Sequence, residues 1–362
     1  MNDQRNPGIK DFINVEILPR LRAMQEKHHQ QSKLFYASAV ISTLLVVVGV
    51  GVAGVALGVD SVFSAEFAAI VAVVLFFGIS LHGIFHVVFV HGVRTRYIEH
   101  IVAPLLDFIR PGVEYEPGEA IGREEFDQSA IAQLPVDHFS SRGLFRQCSD
   151  DGEIRFSEVE AKSRVKPAGD TTVLRRASFA ARGFFFAAQL DETLEGTTVI
   201  APTLRRFANA DQLPRAQAPE GLQAPVIRPG EDWPHLDWMP ENHGAPMGSV
   251  TLPDPEFHAL FDVWSTEIAE ARSVLHSPFL ESLKAAHSVW RSDAHRTEVT
   301  GTAGQGYFVL ILRGDHLYLS RAMPRKLMEI RAFAPGDQVE LLVQLARDVR
   351  LSIEVIEAFN RK

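Results

Sequence analysis

The period of the hydrophobic positions changes along this chain, and each change predicts a different element. Ile9, Phe12, Ile13, Ile17, Leu18, Leu21 and Met24 recur at helical spacing, so residues 1–33 read as an amphipathic helix kinked at Pro19. From Leu34 to Val59 no residue is charged, and a second uncharged run extends from Phe67 to Val93. At about 1.5 Å per residue the first run reaches roughly 39 Å, more than the ~30 Å hydrocarbon core of a bilayer. A two-span transmembrane helical hairpin is therefore expected over 34–93, with spans 34–59 and 67–93. Helical spacing returns at Tyr97, Ile98, Ile101, Val102, Leu105 and Leu106, which predicts a juxtamembrane helix within 94–118; pairing with the first helix is the simpler account, and lying on the membrane surface is the alternative.

From residue 119 the pattern turns to alternation. "EIRFSEVEAK" (153–162) places Ile154 and Phe156 against a polar face, as a half-buried strand does. "GFFFAAQL" (183–190) and "GTTVIAP" (196–202) read as strands on either side of the turn-like "DETLEG". "GYFVLILRGDHLYLS" (306–320) reads as a hairpin around Gly-Asp. "STEIAEARSVL", "SPFLESLKAAHSVWR" and "DQVELLVQLARDVRLSIEVIEAFN" carry helical periodicity. Grouped strands with intervening helices predict an α+β domain over 119–362, with a Pro-rich excursion at about 202–249.

Charge then orients the chain. Arg20, Arg22, Lys27 and Lys33 precede the first span and Arg94 and Arg96 follow the second, whereas the connecting loop has no Lys or Arg. The positive-inside rule places both termini and the main domain in the cytoplasm. The formal net charge of −9 and the lack of a basic stripe argue against nucleic acid as a partner. The single cysteine, Cys148, excludes a disulfide framework. Gly54 and Gly58 form a G-x-x-x-G, which serves either packing within the hairpin or a homo-oligomer face.

Candidate chemistry is sparse. The chain has no phosphate-binding loop, no dinucleotide fingerprint, no H-E-x-x-H and no nucleophile elbow, so no cofactor is predicted. His82 and His86 share a helix face at i, i+4 and are candidate metal or haem ligands. The first span offers no further ligand, and a structural role is favoured. Asp254, Glu256 and His258 form a second, weaker metal candidate. Glu158, Glu270 and Arg272 are the polar centre on which an enzymatic reading would rest. Arg175, Arg176 and Arg182 are candidates for contact with anionic lipid headgroups.

Several segments resemble, in order, a bacterial family of unknown function, DUF3137. "VEYEPGEAIGREEFDQSAI", "GEIRFSEVEA", "FFFAAQLDETLEGTTVIAP" and "VTLPDPEFHALFDVWSTEIAEARSVLHSPFLESL" carry the resemblance. It implies a bacterial inner-membrane protein with a cytoplasmic domain and supplies no activity, cofactor or catalytic residue. The expectation is a membrane-anchored scaffold or adaptor whose partners are the lipid bilayer and a protein. The alternatives are an enzyme of unrecognised type and a haem- or metal-binding membrane protein.

Overall fold

The apolar run "FFFAA" allows a strand buried on both faces, and the fold is organised around it. A computed structural model describes residues 7–27, 29–30, 33, 48, 52, 95–131, 136–149, 152–163, 178–202, 247–296, 308–322 and 335–361. The chain divides into two units, Met1–Val102 with Glu329–Val339, and Ala103–Met328 with Glu340–Lys362.

In the first unit the predicted apolar faces are the buried ones: Ile9, Ile13, Ile17, Leu18 and Leu21 along 7–27, then Tyr97, Ile98, Ile101 and Val102. Helix α1 (Pro7–Phe12) runs into a π-helical turn, Ile13–Ile17, and a second π-helical turn spans Ile98–Val102. Each turn ends two residues before a proline, Pro19 and Pro104. A proline lacks the N–H and crowds the carbonyl four residues back, here that of Val15 or His100 in the middle of the turn. The backbone relieves the clash by widening there, where the sequence suggested a kink.

In the second unit, helix α2 (Ala103–Ile109) leads into β1 (Val113–Glu116), helix α3 (Arg123–Gln128), β2 (His138–Ser149), β3 (Gly152–Ser163) and β4 (Ser178–Pro202). There follow β5 (Gly248–Ser249), α4 (Pro255–Leu260), β6 (Phe261–Ser265), α5 (Ile268–Val274), α6 (Ser277–Arg296), β7 (Phe308–Ala322) and α7 (Pro335–Asn360). The strands form one antiparallel sheet in the order β1-β2-β3-β4-β6-β5, with β7 pairing β4. Along one edge of β4, β3 pairs the first half and β6 the second; β7 pairs both halves.

The two faces of this sheet have different covers. Phe156 stacks on Phe145 and Phe186 at 5.2 and 4.9 Å between ring centroids, on the face closed by α6 and α7. Trp290 of α6 packs on Phe308, and the Arg321 guanidinium lies 5.1 Å from the Trp290 ring centroid and 3.7 Å from Asp348 of α7. Glu357 of α7 is held by Arg110, Gln147 and Arg361. The opposite face carries Val159, Ala161, Phe185, Ala187, Val309 and Ile311, covered by Ile121, Phe126 and Ile131. Phe126 meets Phe185 edge-on at 5.3 Å, and the Ser157 hydroxyl accepts the Ile121 N–H.

The expected α+β fold with a two-span membrane hairpin needs correction. No helix among the described residues is long and apolar enough to cross a membrane. The longest described helix, α7, has Asp337, Glu340, Arg347, Asp348, Arg350, Glu354 and Glu357 spread along its length, and α6 has Glu281, Lys284, Arg291 and Asp293. Charges at that frequency suit a helix with one buried face and one solvated face. The spans proposed at 34–59 and 67–93 lie outside the described residues except Val48 and Val52. The architecture supported here is a large antiparallel sheet flanked by amphipathic helices.

Candidate functional site

Two strings that read as turns, "DETLEG" and "RGDH", lie opposite each other in one continuous ladder. Gln189 pairs with His316, Leu194 with Gly314 and Thr197 with Arg313. Between those pairs β4 has Leu190–Thr193 against Asp315 alone, and then Glu195 and Gly196 against nothing. Both halves of β4 find their partner on β7, so the extra residues are absorbed as a double bulge and no hairpin forms. Gly314 adopts φ +57°, which glycine reaches without strain.

The bulge frees two backbone N–H groups from the ladder, and Glu270 on α5 takes both. Its two carboxylate oxygens accept from Glu195 and Gly196, each at 2.8 Å. Charge-assisted bonds of this kind are about twice as strong as neutral ones. Close approach of α5 explains the glycine: a Cβ on Gly196 would lie 2.7 Å from Glu267 Cβ. Thr197 N–H donates to Thr266 Oγ1 at 2.9 Å, and Thr266 N–H returns a bond to the Thr197 carbonyl.

Beside the bulge, where the cover from α3 ends, lies an open groove of about 810 Å³. Its lining includes Glu124, Glu125, Arg155, Glu195, Arg313, Asp315, His316 and Tyr318. Arg155 on β3 pairs with Glu125 at 2.7 Å, and the Arg313 guanidinium donates to the Gln128 carbonyl at 2.6 Å. His316 Nδ1 lies 2.6 Å from Asp315 Oδ1. The Tyr318 ring is flanked by Phe185 at 5.9 Å and by His316, nearly parallel, at 5.5 Å. Burial, reinforced by the Glu125 carboxylate, pushes the Tyr318 phenol up from its ordinary value and keeps it neutral at physiological pH. Burial likewise lowers the Arg313 guanidinium. Four carboxylates face two guanidiniums, so the groove attracts cationic groups.

The candidates read from sequence are not brought together. Glu158 is 6% exposed on β3, in a cross-strand row with Arg142, Phe184 and Arg321 on the face closed by α6 and α7. Glu270 pins the bulge, and Arg272 Nε donates to the Thr251 carbonyl at 3.2 Å. Arg182 stands opposite Glu160 in the β3–β4 ladder. Arg175, Arg176, His82, His86, Gly54 and Gly58 lie outside the described residues. Asp254 caps α4 through the Phe257 N–H at 3.0 Å and holds Lys284 at 2.9 Å; His258 Nε2 accepts the Leu252 N–H. Sequence reasoning missed Arg155, Arg313 and Tyr318. The signal was the pair of turn strings, which mark where two strands leave register together.

The family described as protein of unknown function, DUF3137, matches residues 180–361. No curated protein matches this chain. Among solved structures, the mycobacterial trehalose monomycolate transport factor A, TtfA, aligns over 73% of this chain and 95% of its own at 8% identity, with a TM-score of 0.29. A likeness at that level carries no argument.

Proposed function

Because the chain belongs to the DUF3137 family of proteins of unknown function, its role rests on its own geometry, and we propose that the sheet domain is a binding module. It acts as a scaffold or adaptor that receives a protein partner in the groove beside the double bulge. The observation that supports this reading is the groove itself. An open, polar concavity of about 810 Å³ is built on backbone that Glu270 holds in place. Clefts of this size are where ligands bury surface, and rigid strands position such sites better than free loops do.

A photo-crosslinking residue placed at Glu195 or Asp315 tests the reading. We expect it to trap a discrete protein in cells, and we expect the purified partner to bind the wild-type chain. Filling the groove with Glu195→Trp should weaken that binding more than tenfold. Equal trapping from Glu281, an exposed position on α6, would count against the groove.

A further inference from the structure

The groove contains a polar atom with no use inside the fold. Tyr318 is 5% exposed and lines the groove, yet its hydroxyl makes no hydrogen bond among the described residues. The ring is buried, whereas the hydroxyl oxygen is not sealed from solvent and opens on the groove, where a ligand can reach it. Phe185 and His316 pack beside its ring, at 5.9 and 5.5 Å between centroids, and the hydroxyl is the polar group it offers to a ligand. Resting on the binding-module reading, we propose that the groove recognises a basic, Lys- or Arg-bearing segment of a protein partner, with the Tyr318 hydroxyl accepting a hydrogen bond from the incoming cation.

Charge supports the choice of a cation. Arg155 is already closed by Glu125 and Arg313 by the Gln128 carbonyl. An anion would have to displace those contacts while facing Glu124, Glu195 and Asp315. A cation meets these carboxylates directly; Glu124 and Glu195 are exposed at the rim, and neither has an ion-pair partner among the described residues. A guanidinium or ammonium group carries several donors, so one group can satisfy Tyr318 and a rim carboxylate together. The open shape suits a side chain arriving on an extended segment better than an enclosed small molecule.

The test is fluorescence anisotropy with the full chain and two labelled probes, hexa-arginine and hexaglutamate. Net charge alone draws hexa-arginine to an acidic protein, so the decisive variant is Tyr318→Phe, which removes one oxygen and no charge. We expect hexa-arginine to bind, hexaglutamate not to bind, and Tyr318→Phe to weaken hexa-arginine about tenfold. Glu124→Gln with Glu195→Gln should weaken it further and flatten its salt dependence, whereas Glu281→Gln should change nothing. Hexa-arginine binding that Tyr318→Phe leaves unchanged would overturn the proposal, as would equal binding of hexaglutamate. A partner trapped from Glu195 that lacks a basic segment would overturn the ligand class and leave the binding module standing.

Discussion

The two faces of the sheet treat polar groups in opposite ways. On the face closed by α6 and α7, Arg321 and Asp348 are 2% and 1% exposed and are aimed at each other beneath Trp290. On the other face, beyond the end of α3, the Tyr318 ring is almost as buried, but its hydroxyl opens on the groove and has no such counterpart among the described residues. In the first arrangement the Arg321–Asp348 pair ties α7 to the sheet. The second leaves its polar group turned toward a groove. The difference lies in what a group without a hydrogen bond faces: the Trp290 indole N–H is sealed within packing, whereas the Tyr318 hydroxyl is open to a ligand.

The largest expected effect breaks the closed face. Arg321→Ala strands the Asp348 carboxylate in the core, which should cost roughly 3–5 kcal/mol in chemical denaturation. Pairing Arg321→Met with Asp348→Leu should recover most of that loss, because neither member of the pair then leaves the other without it. Failure of the double variant to recover would mean that the pair does more than satisfy itself.

A middle-sized effect comes from the segment that leads into β6. The Phe257 N–H, followed by the Lys284 ammonium, holds the Asp254 carboxyl below its ordinary value of 3.8. A carboxylate lowered in the folded state stabilises fully above its unfolded pKa, and the contribution is lost as pH falls through the folded value. Asp254→Ala should therefore cost about 1 kcal/mol at neutral pH, as loss of a helix N-cap does. The gap from wild type should close as the medium is acidified below pH 4. A gap that persisted at low pH would place the effect in packing and not in charge.

The smallest effect sharpens the comparison most. Tyr318→Phe should change stability by less than about 0.5 kcal/mol, because the hydroxyl removed has nothing to lose inside the fold. A clear loss of stability would show that the groove face, like the closed face, uses its polar groups structurally.

Much of the sheet domain was legible in the sequence where one period governed a whole element. β3 follows the alternation of Ile154 and Phe156, and α6 and α7 follow their helical spacing closely. β2 was hidden because Gly143, at φ +65°, sits where the register shifts between Arg142 and Phe145. Leu144 and Phe145 are both buried as a result, on opposite faces, and the alternation breaks. The groove was hidden for a related reason. "DETLEG" and "RGDH" carry the composition of turns, and nothing local says that β7 will bridge both halves of β4. Glu270 and Arg272, two residues apart, were legible as polar positions, but only the tertiary fold gives Glu270 the freed N–H groups of Glu195 and Gly196 to bind.

The central claim, that the double bulge is the working end of the domain, is tested most directly by amide hydrogen exchange with and without saturating hexa-arginine. The account predicts added protection confined to residues 194–197 and 313–318, with α6 and α7 unchanged. Protection that spread evenly over the acidic surface, or that centred on α6 and α7, would contradict it.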